Sequence, residues 1–288
     1  MSIFYMDGEY IDSAQAVISV NDMAVLRGYA IFDFLRTYNK RPFYLKEHIS
    51  RFAHSGECVG LDLPLSELEI HDIVMETLSR NDFEESNIRI MYTGGISPDS
   101  VVPQGNGKFI VMVTERMKLP AWWYTEGVKI ITAEVERYIP EAKSTDYMNA
   151  VMTQQQARKA DAVEAVYVDK KGRVLEGTTT NIFLHLDGRW ITPDKGILPG
   201  ITRSVMIGLM EKEYGVELGE VSREDLARAD EIFVSATNKE IIPVIQVDDI
   251  TVGNGRAGDQ TKKVMTLFRE YTTAYGLQLN TVEKNTST

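Results

Sequence analysis

Lys143 is followed by Leu175-Glu176-Gly177-Thr178-Thr179-Thr180-Asn181-Ile182-Phe183 and then by Leu198-Pro199-Gly200-Ile201-Thr202-Arg203. This ordered series constrains the fold more than any other feature of the chain. The apolar stretch from Asn181 reads as a strand, and Gly177 with the three threonines after it breaks the run before it. The Pro-Gly pair opens a helix that carries Val205, Ile207, Leu209 and Met210. Strand and helix thus alternate within one half of the molecule, which points to a mixed sheet flanked by helices.

The remainder of the chain keeps that alternation. Asp7-Gly8 between apolar residues predicts a hairpin. Leu45, Ile49 and Phe52 share one face of a helix running to about Cys58, and Leu63-Pro64 ends that region. Ser66 and Glu69 have capping-box spacing ahead of Ile70, Ile73, Val74 and Leu78, which predicts a second amphipathic helix. Strands are expected at 88–93 and 108–113, across a loop rich in Gly, Pro, Ser and Asp. Further strands are expected at 128–135, 165–168, 181–186 and 231–235, with helices at 147–159, after Pro199, and at 259–275. The fold class is α/β (α+β). At 288 residues two domains are expected: a small α/β domain over 1–117, a linker at 118–127 holding Trp122-Trp123-Tyr124, and a larger domain over 128–288.

Composition removes whole classes of function. A formal net charge of −11 disfavours a nucleic-acid partner, which requires a positive surface. No apolar run approaches a membrane span and the N-terminus carries no signal pattern, so a cytoplasmic protein with no membrane partner is expected. The one cysteine, Cys58, excludes an intrachain disulfide and any multi-cysteine metal site. His48, His54, His71 and His185 lack convincing ligand spacing, and no metal is expected. Gly253-Asn254-Gly255-Arg256-Ala257-Gly258 fits a dinucleotide-type glycine pattern, but only one helix follows it, so it reads as a turn. Asn285-Thr286-Ser287 matches a glycosylation sequon and reads as chance.

Three pieces of the opening series carry chemistry together. Lys143, with Tyr147 one helical turn later and apolar residues beyond, can be desolvated into a nucleophilic amine. Glu176 offers a carboxylate, and Gly200-Ile201-Thr202 offers a helix N-terminus whose N–H groups and dipole suit an anion. An amine, a carboxylate and a phosphate cradle are what pyridoxal 5′-phosphate requires. Singly, each piece has an ordinary reading as a surface lysine, a turn carboxylate or helix punctuation.

In order and together, these segments resemble the class IV (fold-type IV) pyridoxal-phosphate aminotransferases, the family of branched-chain and D-amino-acid aminotransferases. The resemblance covers nearly the whole chain. It implies that Lys143 is the catalytic lysine that bonds the cofactor aldehyde, that Tyr147 lies near the cofactor's phenolic oxygen, and that Glu176 faces its pyridine nitrogen. His48-Ile49-Ser50-Arg51 resembles the helix whose arginine holds the cofactor phosphate, making Arg51 a binding residue. Ile201 and Thr202 match the phosphate-binding helix start. Asp230 to Thr237 resembles the strand ending in a phosphate-binding threonine, Thr237. A homodimer is implied, because neighbouring subunits in this family complete each other's sites.

Substrate class rests on the first hundred residues. In Val25 to Arg36, Arg27 stands where branched-chain enzymes carry a tyrosine, and Asp33-Phe34 replaces their Glu-Gly. In Gly95 to Val101 the arginine and histidine of the better-known D-amino-acid enzymes are missing. Arg89 matches a family arginine that contacts carboxylates. Arg27 and Arg89 together would clamp a carboxylate bidentately, with Phe32 and Arg36 lining the pocket and Asp33 and Phe34 shaping it. This pattern is similar to an atypical subgroup of D-amino-acid aminotransferases. The expected substrates are an amino acid such as D-alanine or D-glutamate and a 2-oxo acid such as 2-oxoglutarate or pyruvate. Three alternatives stay open: an L-branched-chain aminotransferase, a 4-amino-4-deoxychorismate lyase, and a non-enzymatic cofactor-binding regulator.

Overall fold

The computed structural model describes residues 2–277, so the sequon at 285–287 lies outside the described residues. The chain divides into two compact units. Among the described residues, one holds 2–117, 142–147 and 272–277; the other holds Lys118–Glu141 and Met148–Tyr271.

The first unit opens with a hairpin, β1 (Ile3–Met6) and β2 (Glu9–Asp12), turning at Asp7-Gly8. A short helix α1 (Met23–Arg27) follows, capped by the Asp22 carboxylate on the Ala24 N–H and ended by Gly28 at φ +64°. Strand β3 (Ala30–Tyr38), the two-residue β4 (Arg41–Pro42), helices α2 (Leu45–Val59) and α3 (Glu67–Ser79), and strands β5 (Ser86–Thr93) and β6 (Phe109–Glu115) complete it. The Ser66/Glu69 capping box forms as its spacing predicts and contributes about 1 kcal/mol. The strands build one antiparallel sheet in the order β2-β1-β6-β5-β3-β4. Ile31, Leu35, Ile88, Ile90, Val111 and Val113 cover one sheet face and pack against Ile49 and Phe52 of α2 and Ile70 and Val74 of α3. Thr273 and Tyr275 return to this unit, each carbonyl accepting from Asn39 Nδ2.

The second unit begins with the short helix α4 (Trp122–Thr125) and strand β7 (Val128–Glu134), then helix α5 (Met148–Lys159). Strands β8 (Glu164–Val168), β9 (Arg173–Gly177), β10 (Asn181–Leu186) and β11 (Arg189–Pro193) lead into helix α6 (Ile201–Met210). Next come β12 (Val216–Gly219), β13 (Val221–Ser222), α7 (Arg223–Arg228), β14 (Glu231–Ala236), β15 (Glu240–Val247), β16 (Ile250–Thr251) and α8 (Asp259–Ala274). The sheet is mixed, ordered β12-β11-β10-β14-β15-β7-β8-β9-β13, with β16 beside β15. Its core joins Val128, Ile130, Val166, Ile182, Leu184, Ile232, Val234 and Ile242, with Trp123 and Tyr124 packed on it. The glycine run after Val252 forms the turn that leads into α8.

Candidate active site

Side-chain alternation along β3 decides which residues share each face of the sheet. Ile31, Asp33 and Leu35 point one way; Phe32, Phe34 and Arg36 point the other, opposite Met91, Arg89 and Asn87 of β5. The segment 142–147 lies along the start of β3. Phe32 N donates to Lys143 O (2.9 Å), Thr145 N donates to Ala30 O (2.9 Å), and Ile31 and Ser144 form a bridge. This pairing corrects one expectation: Lys143 and Tyr147 are not one helical turn apart, because backbone pairing to β3 holds the segment out of the helix and α5 starts only at Met148. They are brought together instead around one ring. The Lys143 ammonium lies 4.8 Å from the Phe32 ring centroid, and the Tyr147 ring packs at 5.7 Å from the same ring.

Arg89 stands on this face, half-buried, its guanidinium 4.8 Å from the Phe32 centroid and 5.5 Å from that of Phe34. Among the described residues it forms no salt bridge. Burial pulls its pKa down, with Tyr147 acting the other way. Arg36 is buried, with its guanidinium over the Tyr38 ring at 4.1 Å. Arg27 is exposed and bonds backbone carbonyls, Nε to Ser100 O (3.0 Å) and Nη1 to Leu26 O (2.9 Å). The 96–102 loop is organised by Asp99, whose Oδ1 accepts from Ser97 Oγ and the Val101 and Val102 N–H groups. Those bonds hold its carboxyl down at about 2.

Asp33, read from the sequence as shaping the pocket with Phe34, faces away from Phe34 instead, toward α2. There His48, Arg51 and Ser55 fall on one helical face through their three- and four-residue spacing. Arg51 grips Asp33 with two bonds, Nε to Oδ2 (2.9 Å) and Nη2 to Oδ1 (2.8 Å), and His48 Nδ1 donates to Oδ1 (2.7 Å). Burial would raise the Asp33 carboxyl, but Arg51 and then His48 outweigh it and hold it well below the ordinary range. Burial pushes the His48 pKa down against the upward pull of Asp33, and Arg51 and Lys143 add to the fall. Its Nε2 is buried with no hydrogen-bond partner among the described residues. Ser55, one turn beyond Arg51, accepts the Lys143 N–H (3.0 Å). Lys143, Arg51 and the Asp33–His48 pair therefore form one neighbourhood of the first unit.

In the second unit Glu176 is buried near the end of β9. Its Oε1 accepts from Arg137 Nη1 (2.8 Å) and its Oε2 from the Leu198 N–H (2.9 Å). Sequence reasoning did not find Arg137, which sits in an irregular stretch after β7 with no pattern to mark it. Gly200 is the N-cap of α6, and no side chain caps the helix. The first N–H groups of the helix are thus left for another acceptor. A Cβ at Gly200 would collide with Asn181 Oδ1, and Asn181 is itself held by Leu198 O (3.0 Å). Thr180 Oγ1 and Ser235 Oγ are buried without partners among the described residues. Thr237 begins the turn after β14. An uncapped helix start, a glycine where a methyl would not fit, and orphaned hydroxyls fit an oxyanion such as a phosphate. No cluster of three or more potential metal ligands exists among the described residues.

Comparison with known proteins matches the chain to one family. The family model described as amino-transferase class IV aligns with residues 30–247. A provisionally assigned branched-chain-amino-acid aminotransferase of Methanocaldococcus jannaschii is 36% identical over 284 residues, covering 96% of this chain and 98% of that protein. The D-alanine aminotransferase of Bacillus licheniformis is 30% identical over 274 residues, covering 91% and 94%. Among solved structures, the Escherichia coli branched-chain amino acid aminotransferase superposes with a TM-score of 0.89 at 28% identity, covering 95% of each chain. The branched-chain amino acid aminotransferase of T.th., solved with pyridoxamine 5′-phosphate, gives 0.88 at 27% identity, covering 95% of this chain and 94% of that one.

Proposed function

This chain belongs to the class IV aminotransferases, and within that family we propose that it transfers amino groups from D-amino acids, such as D-alanine or D-glutamate, to a 2-oxo acid such as 2-oxoglutarate or pyruvate. The enzyme's cofactor is pyridoxal 5′-phosphate. The uncapped start of α6, the tight approach at Gly200 and the orphaned hydroxyls of Thr180 and Ser235 fit its phosphate. When bound, the cofactor supplies an aldehyde for the amino group and an electron-withdrawing ring that acidifies the substrate Cα–H.

The chain's own groups do the rest. Lys143 would hold the cofactor through Nζ until the incoming substrate amine displaces it, and the freed Nζ amine would then take the proton from the substrate Cα and return one when the oxo acid is aminated. Its backbone N–H, anchored on Ser55 Oγ, fixes where that side chain starts from. Tyr147 steadies the phenolic oxygen. Glu176, fixed by Arg137 and the Leu198 N–H, meets the ring nitrogen. Arg51, Ile201, Thr202 and Thr237 hold the phosphate.

The observation that carries the substrate reading is Arg89. It is a half-buried guanidinium on the Phe32 face with no anionic partner among the described residues. A carboxylate there gains a charge-assisted, bidentate bond. Arg36 and Phe32 line the same face, and Arg27 is the second guanidinium of the clamp, delivered by the loop at Ser100. A homodimer that covers the exposed Val17, Val20, Leu26, Ile96, Val101 and Val102 would set Arg27 against its target. The proposed setting is cytoplasmic. No helix among the described residues is long and apolar enough to cross a membrane. The second reading, an L-branched-chain aminotransferase, is favoured by the name of the Methanocaldococcus jannaschii relative.

Titration of the cofactor-loaded protein separates the two. D-alanine or D-glutamate should bleach the visible band of the lysine-bound cofactor and L-leucine should not; the reverse order establishes the branched-chain reading. Lys143→Ala should bind cofactor without that band, and turnover retained in this variant would refute the lysine's role.

A further inference from the structure

Glu164 opens β8 and is 1% exposed, yet none of the steps above uses it. Its Oε1 accepts from the Thr178 hydroxyl and from the Ala165 N–H (3.1 Å). Its Oε2 accepts from Thr179 Oγ1 (2.9 Å) and from Lys239 Nζ (2.8 Å). Lys239 also donates to Thr179 Oγ1 (2.6 Å), closing a triangle of ammonium, hydroxyl and carboxylate. Burial alone would raise the Glu164 carboxyl, but Lys239 and the two hydroxyls bring it below its ordinary value.

A buried ion pair is a weak source of stability compared with apolar packing, so its presence is better explained by the geometry it specifies. Here that geometry joins two loops. Residues 177–180 directly follow Glu176, and their Thr178 and Thr179 hydroxyls end on Glu164. The turn Thr237-Asn238-Lys239 leaves β14 and closes with Glu240 in the left-handed region at φ +56°. Its backbone is tied by Lys239 N to Ala236 O (3.2 Å) and by the Tyr124 hydroxyl to Lys239 O (3.1 Å). Gln154 of α5 sits beside the first loop, its Oε1 3.2 Å from Thr178 Oγ1, while its Nε2 donates to Val163 O (2.7 Å).

We propose that the Glu164–Lys239 pair, bridged by Thr179, is a latch that sets the position of Glu176 relative to Thr237, making Glu164 and Lys239 positioning residues for the cofactor. This inference rests on the assignment of Glu176 to the ring nitrogen and Thr237 to the phosphate. Each of those residues lies within one short turn of its own end of the latch, so a loosened pair disturbs both contacts together. Loss of the latch therefore weakens cofactor binding and slows the chemical step more than it alters amino-acid binding.

The test uses the full-length protein, with melting temperature, cofactor dissociation constant from equilibrium dialysis with pyridoxal 5′-phosphate, kcat and KM as readouts. Lys239→Met leaves a buried carboxylate without its cation and should lower both melting temperature and cofactor affinity. The double variant Glu164→Gln with Lys239→Met removes both charges. It should regain most of the melting temperature while cofactor affinity stays about tenfold or more below wild type and kcat falls more than KM rises. Thr179→Val, at an exposed position, strands no charge. It should leave the melting temperature of the cofactor-free protein unchanged and weaken cofactor binding several-fold. Wild-type cofactor affinity in the double variant, or in Thr179→Val, would overturn the latch and leave the pair a folding element. Failure of the underlying assignment looks different: Glu176→Gln and Thr237→Ala would then bind cofactor as the wild type does.

Discussion

Asp33 shows how one residue of a strand can serve a site from its far side. It sits on the apolar face of β3, fully buried, and returns two oxygens to Arg51 and His48. Asp33→Asn removes the charge that the buried guanidinium needs, and should destabilise the fold by about 3–5 kcal/mol, as broken buried pairs do. Chemical denaturation at neutral pH checks this. The same residues set an acid dependence. The folded pKa of Asp33 is below the unfolded value of about 3.9, so its contribution is full above about pH 4 and is lost as pH falls toward the folded pKa. His48 acts over a higher range: its folded pKa is also lowered, so the unfolded chain gains a proton ahead of the folded one as pH falls below about 6.5. Stability should therefore decline from about pH 6.5 downward, and His48→Gln should flatten the upper part of that decline in melts between about pH 7 and pH 5. Arg137→Gln should weaken cofactor binding and cost about 1.5–3 kcal/mol, the worth of a hydrogen bond to a charged group; dialysis and denaturation read the two effects separately. Lys143, Glu176, Arg51 and Arg89 stand out as candidates in the sequence because they sit in ordered motifs. Arg137, Glu164 and Lys239 do not, since each acts on a partner from 14 to 75 residues distant and no local pattern encodes that.

At the scale of elements, α6 is the helix proposed to receive the cofactor phosphate. Its start lacks a side-chain cap, which normally contributes about 1 kcal/mol, so a bound anion has the helix N–H groups to itself. Gly200→Ala should cost about 1–3 kcal/mol through the clash with Asn181. It should weaken phosphate-dependent cofactor binding more than it affects melting of the cofactor-free protein. Amphipathic elements are legible in the sequence: α2 shows apolar spacing, α3 carries its capping box, and α6 follows Pro-Gly. Strand β3 is not, because Ala30 to Tyr38 is buried on nearly every residue and shows no simple alternation of polar and apolar. The same holds for β9 and much of β15, whose residues are buried on both faces.

At the scale of the molecule, the exposed valines and isoleucine of residues 16–26 and 96–102 predict self-association. Sedimentation of the wild type should give a dimer, and Val20→Asp with Val101→Asp should shift it toward monomer and reduce turnover with dicarboxylate substrates if Arg27 serves the neighbouring site. The sequence alone determined the α/β class, the family resemblance and the identity of the candidate lysine, carboxylate and helix start, because those depend on local pattern and on short motifs in fixed order. Only the tertiary structure decided which side of β3 each residue faces, that the Lys143 segment folds along the first unit although it is flanked in sequence by the second, and that Asp33 belongs to Arg51. Those outcomes follow from sheet register and long-range pairing, where one residue of offset turns a side chain from the core to the site.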